Sequence, residues 1–125
     1  MIKPITQEID LNPMPFPVIT LCGSTRFKED FEAVNRYLTL QGWVVFSVGC
    51  YGHSGDVFND QQKLVLDAIH KQKIDMSDAI FVINRNGYIG SSTKSEIEYA
   101  QKHNKQICYM EAMPNGLSGM DLSQM

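Results

Sequence analysis

The sequence predicts an α/β fold: a three-layer sandwich whose mainly parallel sheet of four or five strands carries helices on both faces. Short, almost continuously apolar runs alternate with longer segments whose apolar residues recur every three to four positions, the signature of buried parallel strands joined by amphipathic helices. Glycine-bearing loops follow the first three apolar runs, where such a sheet hands its chain from strand to helix. With 125 residues and 43% hydrophobic content, the chain forms one domain, 1–125, whose core needs neither disulfides nor metal.

Residues 1–15 hold three prolines and scattered isoleucines, an irregular arm. Pro17 to Cys22 is the first strand, and Gly23-Ser24-Thr25 turns it into a helix from Arg26 to Gln41, with Phe27, Phe31, Val34, Leu38 and Leu40 at helical spacing and Gly42 as its stop. Trp43 to Val48 is the second strand. The glycine-rich loop Gly49 to Asp56 leads to a helix from Asp60 to Met76, with Leu64, Leu66, Ile69 and Ile74 as its apolar set. Ala79 to Asn84 is the third strand, Thr93 to Asn104 the third helix and Gln106 to Met110 the fourth strand. Residues 112–125 lack periodicity and read as a tail. Crossovers between such strands are right-handed.

Eleven basic and fourteen acidic residues give a net charge of −3, without a Lys/Arg run able to track phosphates, which disfavours nucleic-acid polymers and membrane surfaces. No window approaches a spanning length, and no signal-peptide core is present. Cys22, Cys50 and Cys108 lack finger spacing and suit free thiols in a reducing, cytoplasmic setting, mostly as small core residues. The three histidines, His53, His70 and His103, are dispersed without metal-ligand spacing, so neither a metal nor a cofactor is expected. Few strands and apolar arms at both ends predict a homodimer or higher homo-oligomer.

Chemistry concentrates in two loops. Asn86 to Glu96 runs from the end of the third strand into a helix, presenting backbone N–H groups, hydroxyls and one carboxylate at a sheet rim. Thr93-Lys94-Ser95-Glu96 fits a capping box, which would make Glu96 structural; as a crevice residue it is a nucleophile or base. Gly23-Ser24-Thr25-Arg26 ends the first strand in the same way, with groups suited to a phosphate or sugar hydroxyl. Neither loop is a dinucleotide fingerprint or a Walker A motif. Asp78 reads as a turn residue. His70 shares a helix face with Asp67 and Ile74, as a surface histidine or a site residue.

Through these residues the chain resembles the nucleoside 2-deoxyribosyltransferase superfamily, which includes nucleoside-monophosphate N-glycosidases. The resemblance covers roughly Val18 to Met110. It is carried by Gly-Ser-x-Arg at Gly23 to Arg26, Leu-x-x-x-Gly-x-x-Val at Leu38 to Val45, Ser77-Asp78 before the third strand, and Ser-x-x-x-Glu-Ile-x-Tyr-Ala at Ser92 to Ala100. It implies a flavodoxin-like, Rossmann-like fold, oligomeric assembly, and Glu96 as a nucleophile attacking C1′ of a deoxynucleoside or its 5′-monophosphate, with no cofactor. Gly23, Ser24, Thr25, Arg26 and Ser92 would hold the 5′ group. Tyr51, His53, Asn84, Gly87, Tyr88 and Gly90 complete the expected substrate-binding set. The chain departs from the family at its second carboxylate, eight positions before Asp78, where His70 stands; either His70 is the general acid, or Asp75 or Asp67 substitutes, or the activity differs from the family's. Alternatives are a phosphoribohydrolase of the lysine-decarboxylase-like type, whose Gly-Thr-x-x-Glu resembles Ser92 to Glu96, and a non-catalytic nucleotide-sensing module.

Overall fold

The computed structural model describes residues 16–51, 55 and 57–112; the expected N-terminal arm, residues 113–125 of the tail and the candidate His53 lie outside them. Strands β1 (Val18–Gly23), β2 (Val44–Phe46), β3 (Ala79–Ile83) and β4 (Gln106–Tyr109) form one sheet in the order β2-β1-β3-β4, and every neighbouring pair is parallel. Helix α1 (Lys28–Leu40) joins β1 to β2, α2 (Asp60–Asp75) joins β2 to β3, and α3 (Ser91–Lys102) joins β3 to β4. This is the flavodoxin-like α/β architecture, with four strands among the described residues.

Side chains alternate across a strand, so β1 and β3 each feed two cores. Ile19, Leu21, Phe81 and Ile83 meet Phe31, Val34 and Leu38 of α1 on one face. Cys22, Ile80 and Val82 meet Ile74 of α2 and Ile97 and Ala100 of α3 on the other. Cover on both faces explains why β3 is apolar throughout, with all five residues buried.

Local chemistry sets the helix ends. Gly42, with φ 96°, closes α1: its N–H reaches the Thr39 carbonyl at 3.1 Å, and Trp43 N–H reaches the Leu38 carbonyl at 3.0 Å, a Schellman stop of the kind the sequence predicts. Asn59 and Gln62 open α2 as a reciprocal capping box, with bonds of 2.8 and 3.0 Å.

Two expectations are corrected. β2 spans three residues rather than Trp43 to Val48, because it pairs only with β1 at the sheet edge; beyond it, the Ser47 carbonyl accepts from Lys73 Nζ at 2.7 Å. The apolar set of α2 does not line the core as a whole. Of its residues only His70 and Ile74 are buried, while Leu64, Val65 and Ile69 stay exposed. The helix rests on the sheet through its C-terminal half.

Strand order reverses between β1 and β3, whose following helices α1 and α3 leave to opposite faces. Such divergence opens a crevice at the carboxyl ends of the two strands. Gly23 stands there because nothing larger fits: a Cβ would lie 2.9 Å from the Ile83 carbonyl oxygen and 3.0 Å from Ile83 Cβ. Gly23→Ala must prise β1 from β3 and is expected to cost about 1–3 kcal/mol, read as a lower urea midpoint at unchanged slope. An unchanged midpoint would show that the strands part freely. No helix among the described residues is long and apolar enough to cross a membrane.

Candidate active site

A cavity of about 570 Å³ occupies this crevice. The β1 loop contributes Gly23, Ser24, Thr25 and Arg26; the loop after β2 contributes Val48, Gly49 and Cys50; α2 contributes Lys63, Asp67, His70 and Lys73; and the β3–α3 junction contributes Tyr88, Gly90, Ser91, Ser92, Thr93 and Glu96. The two loops singled out in the sequence therefore face one space.

The capping-box reading of Thr93 and Glu96 fails on where α3 begins. Gly90, extended at φ −76° and ψ 175°, is the N-cap, and α3 starts at Ser91. Thr93 thus sits inside the first turn and Glu96 in the second, too far along to reach the N-cap amide. No side chain caps Gly90, and the first turn holds no acidic residue, so its N–H groups and the Ser91 and Ser92 side chains are arranged for an anion or hydroxyl.

Glu96 turns inward instead. Its carboxylate lies 3.7 Å from His70 Nε2, and the ligand atoms of Glu96 and Cys22 stand within 4.8 Å of each other. His70 Nε2 is in turn 3.6 Å from Cys22 Sγ. All three residues are buried, and they come from β1, α2 and α3. His70 is therefore not the surface histidine that its helix face allowed.

Burial shapes their ionisation. Desolvation pushes the Glu96 carboxyl from 4.5 up to about 7; Cys22's hydrogen bond and Lys71 oppose the rise, and Asp67 adds to it. Desolvation and then the Lys73 charge bring His70 from 6.5 down to about 4, against a hydrogen bond to the Leu21 backbone and the Asp67 charge. Burial, followed by Glu96, raises the Cys22 thiol well above its ordinary range. At neutral pH a carboxyl near its own midpoint thus faces a neutral imidazole and a neutral thiol.

Arg26, in the same lining, is held in place. Its Nε donates to Ser24 Oγ at 3.1 Å, an Nη donates to the Tyr88 hydroxyl at 3.3 Å, and its guanidinium lies 4.4 Å from the centre of the Tyr88 ring. Ser24 also accepts from the Arg26 amide, capping a short turn at Thr25–Phe27. Tyr88 leans edge-on against Phe27. Arg26, Lys63 and Lys73 line the cavity together with the carboxylates of Asp67 and Glu96.

Other expected site residues lie elsewhere. Asn84 is fully buried and ties β3 to the end of β4, its amide exchanging bonds of 3.0 and 2.9 Å with the Glu111 backbone. Gly87, at φ 79°, shapes the exposed turn before Tyr88 and does not line the cavity. Tyr51 packs edge-on against Phe31 at 6.0 Å, outside the lining. Asp75 is likewise outside it: the Tyr99 hydroxyl donates to its two oxygens at 2.8 Å and Lys105 to its carbonyl at 3.1 Å, joining α2 to α3. Asp78 accepts from Val18 N–H at 2.8 Å, a structural tie. The sequence reading passed over Cys22, which its placement in an apolar strand marked as core, and over Lys63 and Lys73, which carry no motif or spacing signal.

A scan of the chain against models of known protein families finds no match, and a search among curated proteins finds none either.

Proposed function

We propose that the protein cleaves or transfers the N-glycosidic bond of a nucleoside or nucleoside 5′-monophosphate, with Glu96 as nucleophile. The observation that carries this reading is a buried carboxylate lining the same cavity as the hydroxyl- and guanidinium-bearing loop Ser24-Thr25-Arg26. The β1 loop and the N-terminus of α3 receive the 5′ hydroxyl or phosphate, which orients C1′ toward Glu96.

Attack by a Glu96 oxygen on C1′ forms a glycosyl ester while the C1′–N bond breaks and its electron pair leaves with the base. Water then releases the sugar, or a second base takes it. The leaving base needs a proton, and His70 is placed to relay one. Between about pH 4 and about 7, Glu96 and His70 hold one proton between them. Its passage from carboxyl to imidazole creates the nucleophile and the acid together. Across that gap in acidity the passage costs roughly 4 kcal/mol, a modest part of an enzymatic barrier. Asp67, on the same wall, is the fallback donor.

The test incubates purified protein, with chelator present, with a panel of deoxynucleosides and their 5′-monophosphates, with and without a second base, and follows free base by chromatography. Release from at least one member that Glu96→Gln abolishes is expected. Tight nucleotide binding without release from any member would replace this reading with a sensing module.

Arg26→Ala is expected to raise KM for a 5′-monophosphate by about tenfold to a hundredfold while leaving the matching nucleoside within a few-fold. Equal losses on both would show that Arg26 only shapes the loop through Tyr88. The proposal includes a homo-oligomer, because Leu64, Val65 and Ile69 are exposed on α2 beside the cavity; light scattering that gives a monomer mass at micromolar concentration would remove that part.

A further inference from the structure

We propose that Cys22, His70 and Glu96 form a three-ligand site for Zn2+ or a similar borderline-soft divalent ion, with the fourth position facing the cavity, and that occupancy there silences the glycosyl chemistry. The binding half stands on geometry alone; the silencing half rests on the function proposed above.

In tetrahedral zinc sites, Zn–S is about 2.3 Å and Zn–N or Zn–O about 2.0–2.1 Å, so neighbouring ligand atoms stand roughly 3.3–3.6 Å apart. Cys22 Sγ and His70 Nε2 are 3.6 Å apart, and His70 Nε2 and Glu96 Oε1 are 3.7 Å apart. The three ligand atoms all lie within 4.8 Å of one another, so a small rotation of the Glu96 carboxylate closes the set. Each ligand is anchored on a different element, and the core that Cys22 forms with Ile74 of α2 and Ile97 and Ala100 of α3 fixes their mutual positions.

Three further features agree. A thiolate, an imidazole and a carboxylate are the mixed, borderline set that favours Zn2+ over Mg2+ or Ca2+. The thiolate and the carboxylate together balance a 2+ charge, which answers the penalty that burial places on each anion alone. His70 and Glu96 line the cavity, which supplies an entry path and leaves the fourth position for water or a substrate atom. A bound ion draws on the Glu96 lone pairs needed for attack on C1′, so metal and glycosyl transfer compete for one carboxylate.

Co2+ is the probe. Metal-free protein titrated with Co2+ is expected to develop tetrahedral visible bands and a near-ultraviolet thiolate-to-metal band, saturating at one equivalent and erased by Zn2+. Cys22→Ser removes the thiolate band, and Glu96→Gln, which keeps the side chain's shape, weakens binding by more than about 100-fold, since losing even an outer-shell partner costs about 10–100-fold. Glu98→Gln, on the exposed side of α3, leaves the titration unchanged. No thiolate band in folded wild-type protein, or an unchanged affinity in Glu96→Gln, overturns the site. In parallel, one equivalent of Zn2+ is expected to stop base release and chelator to restore it. Undiminished release at saturating Zn2+ overturns the silencing half. Absence of release from metal-free protein instead counts against the glycosidic function and leaves the spectroscopic result intact.

Discussion

Glu96→Gln is expected to abolish base release, lowering kcat/KM on the order of 10^4-fold or more, while making the folded protein more stable at pH 8. Both effects have one origin. Glu96, the proposed nucleophile, is a carboxylate held away from water, and its folded-state acidity, about 7, lies above the ordinary 4.5. The folded chain therefore holds this proton more tightly than the unfolded chain. Stability contributed by Glu96 is complete below pH 4.5, declines as pH rises from there, and is lost once pH passes about 7. A shift of this size is worth roughly 3 kcal/mol, reduced to about 2 kcal/mol by the carboxylate's contact with the cavity. Glutamine keeps the shape and never ionises, so denaturant titrations should show the variant ahead by about 2 kcal/mol at pH 8 and level with wild type at pH 4.5. His70's own loss of stability, which sets in as pH falls from 6.5 toward about 4, is common to both proteins. A variant no more stable than wild type at pH 8 would mean that Glu96 is already compensated when charged.

A second large effect is expected at His70. If Glu96 and His70 share the one proton that chemistry uses, kcat/KM follows the singly protonated pair: a plateau between about pH 4 and about 7, with a tenfold fall per pH unit on each side far from the plateau. The two limits belong to the pair rather than to either residue. His70→Gln should lower the plateau by about 10^2–10^4-fold, the usual worth of a positioned acid. It should also invert the alkaline limb, because without the imidazole only ionisation of Glu96 remains, and residual activity then rises through the Glu96 midpoint. Loss of mere support would lower the rate and leave the profile's shape alone. A wild-type profile that climbs through pH 7 would assign the proton to another donor, Asp67 first. These measurements belong in chelator, so that no metal holds the carboxylate.

The helices and strands follow from short-range patterns, and those patterns were legible. Apolar runs at β1, β3 and β4 and the Gly42 stop of α1 appear close to where the sequence put them, since each depends on neighbours a few residues away. β2 was read too long because pairing, rather than composition, limits an edge strand. α2 was read with Leu64, Leu66, Ile69 and Ile74 as its apolar set, yet periodicity reports which residues share a face and not whether that face meets anything. The Thr93 to Glu96 pattern shows the same limit: a capping box is defined by where a helix starts, and Gly90 starts it three residues before Thr93.

Composition and spacing were sufficient for an α/β sheet, for two polar loops at its carboxyl edge and for a carboxylate beside one of them. They could not join Cys22 to His70 across 48 residues or place Glu96 against both. Nor could they separate Asp75, Asn84, Gly87 and Tyr51, which serve ties, turns and packing, from Lys63 and Lys73, which reach the cavity. Ionisation was equally out of reach, because it depends on how much water and charge the surrounding fold leaves near a group. Periodicity is a property of a segment; a reactive cluster is a property of the strands and helices that close around it.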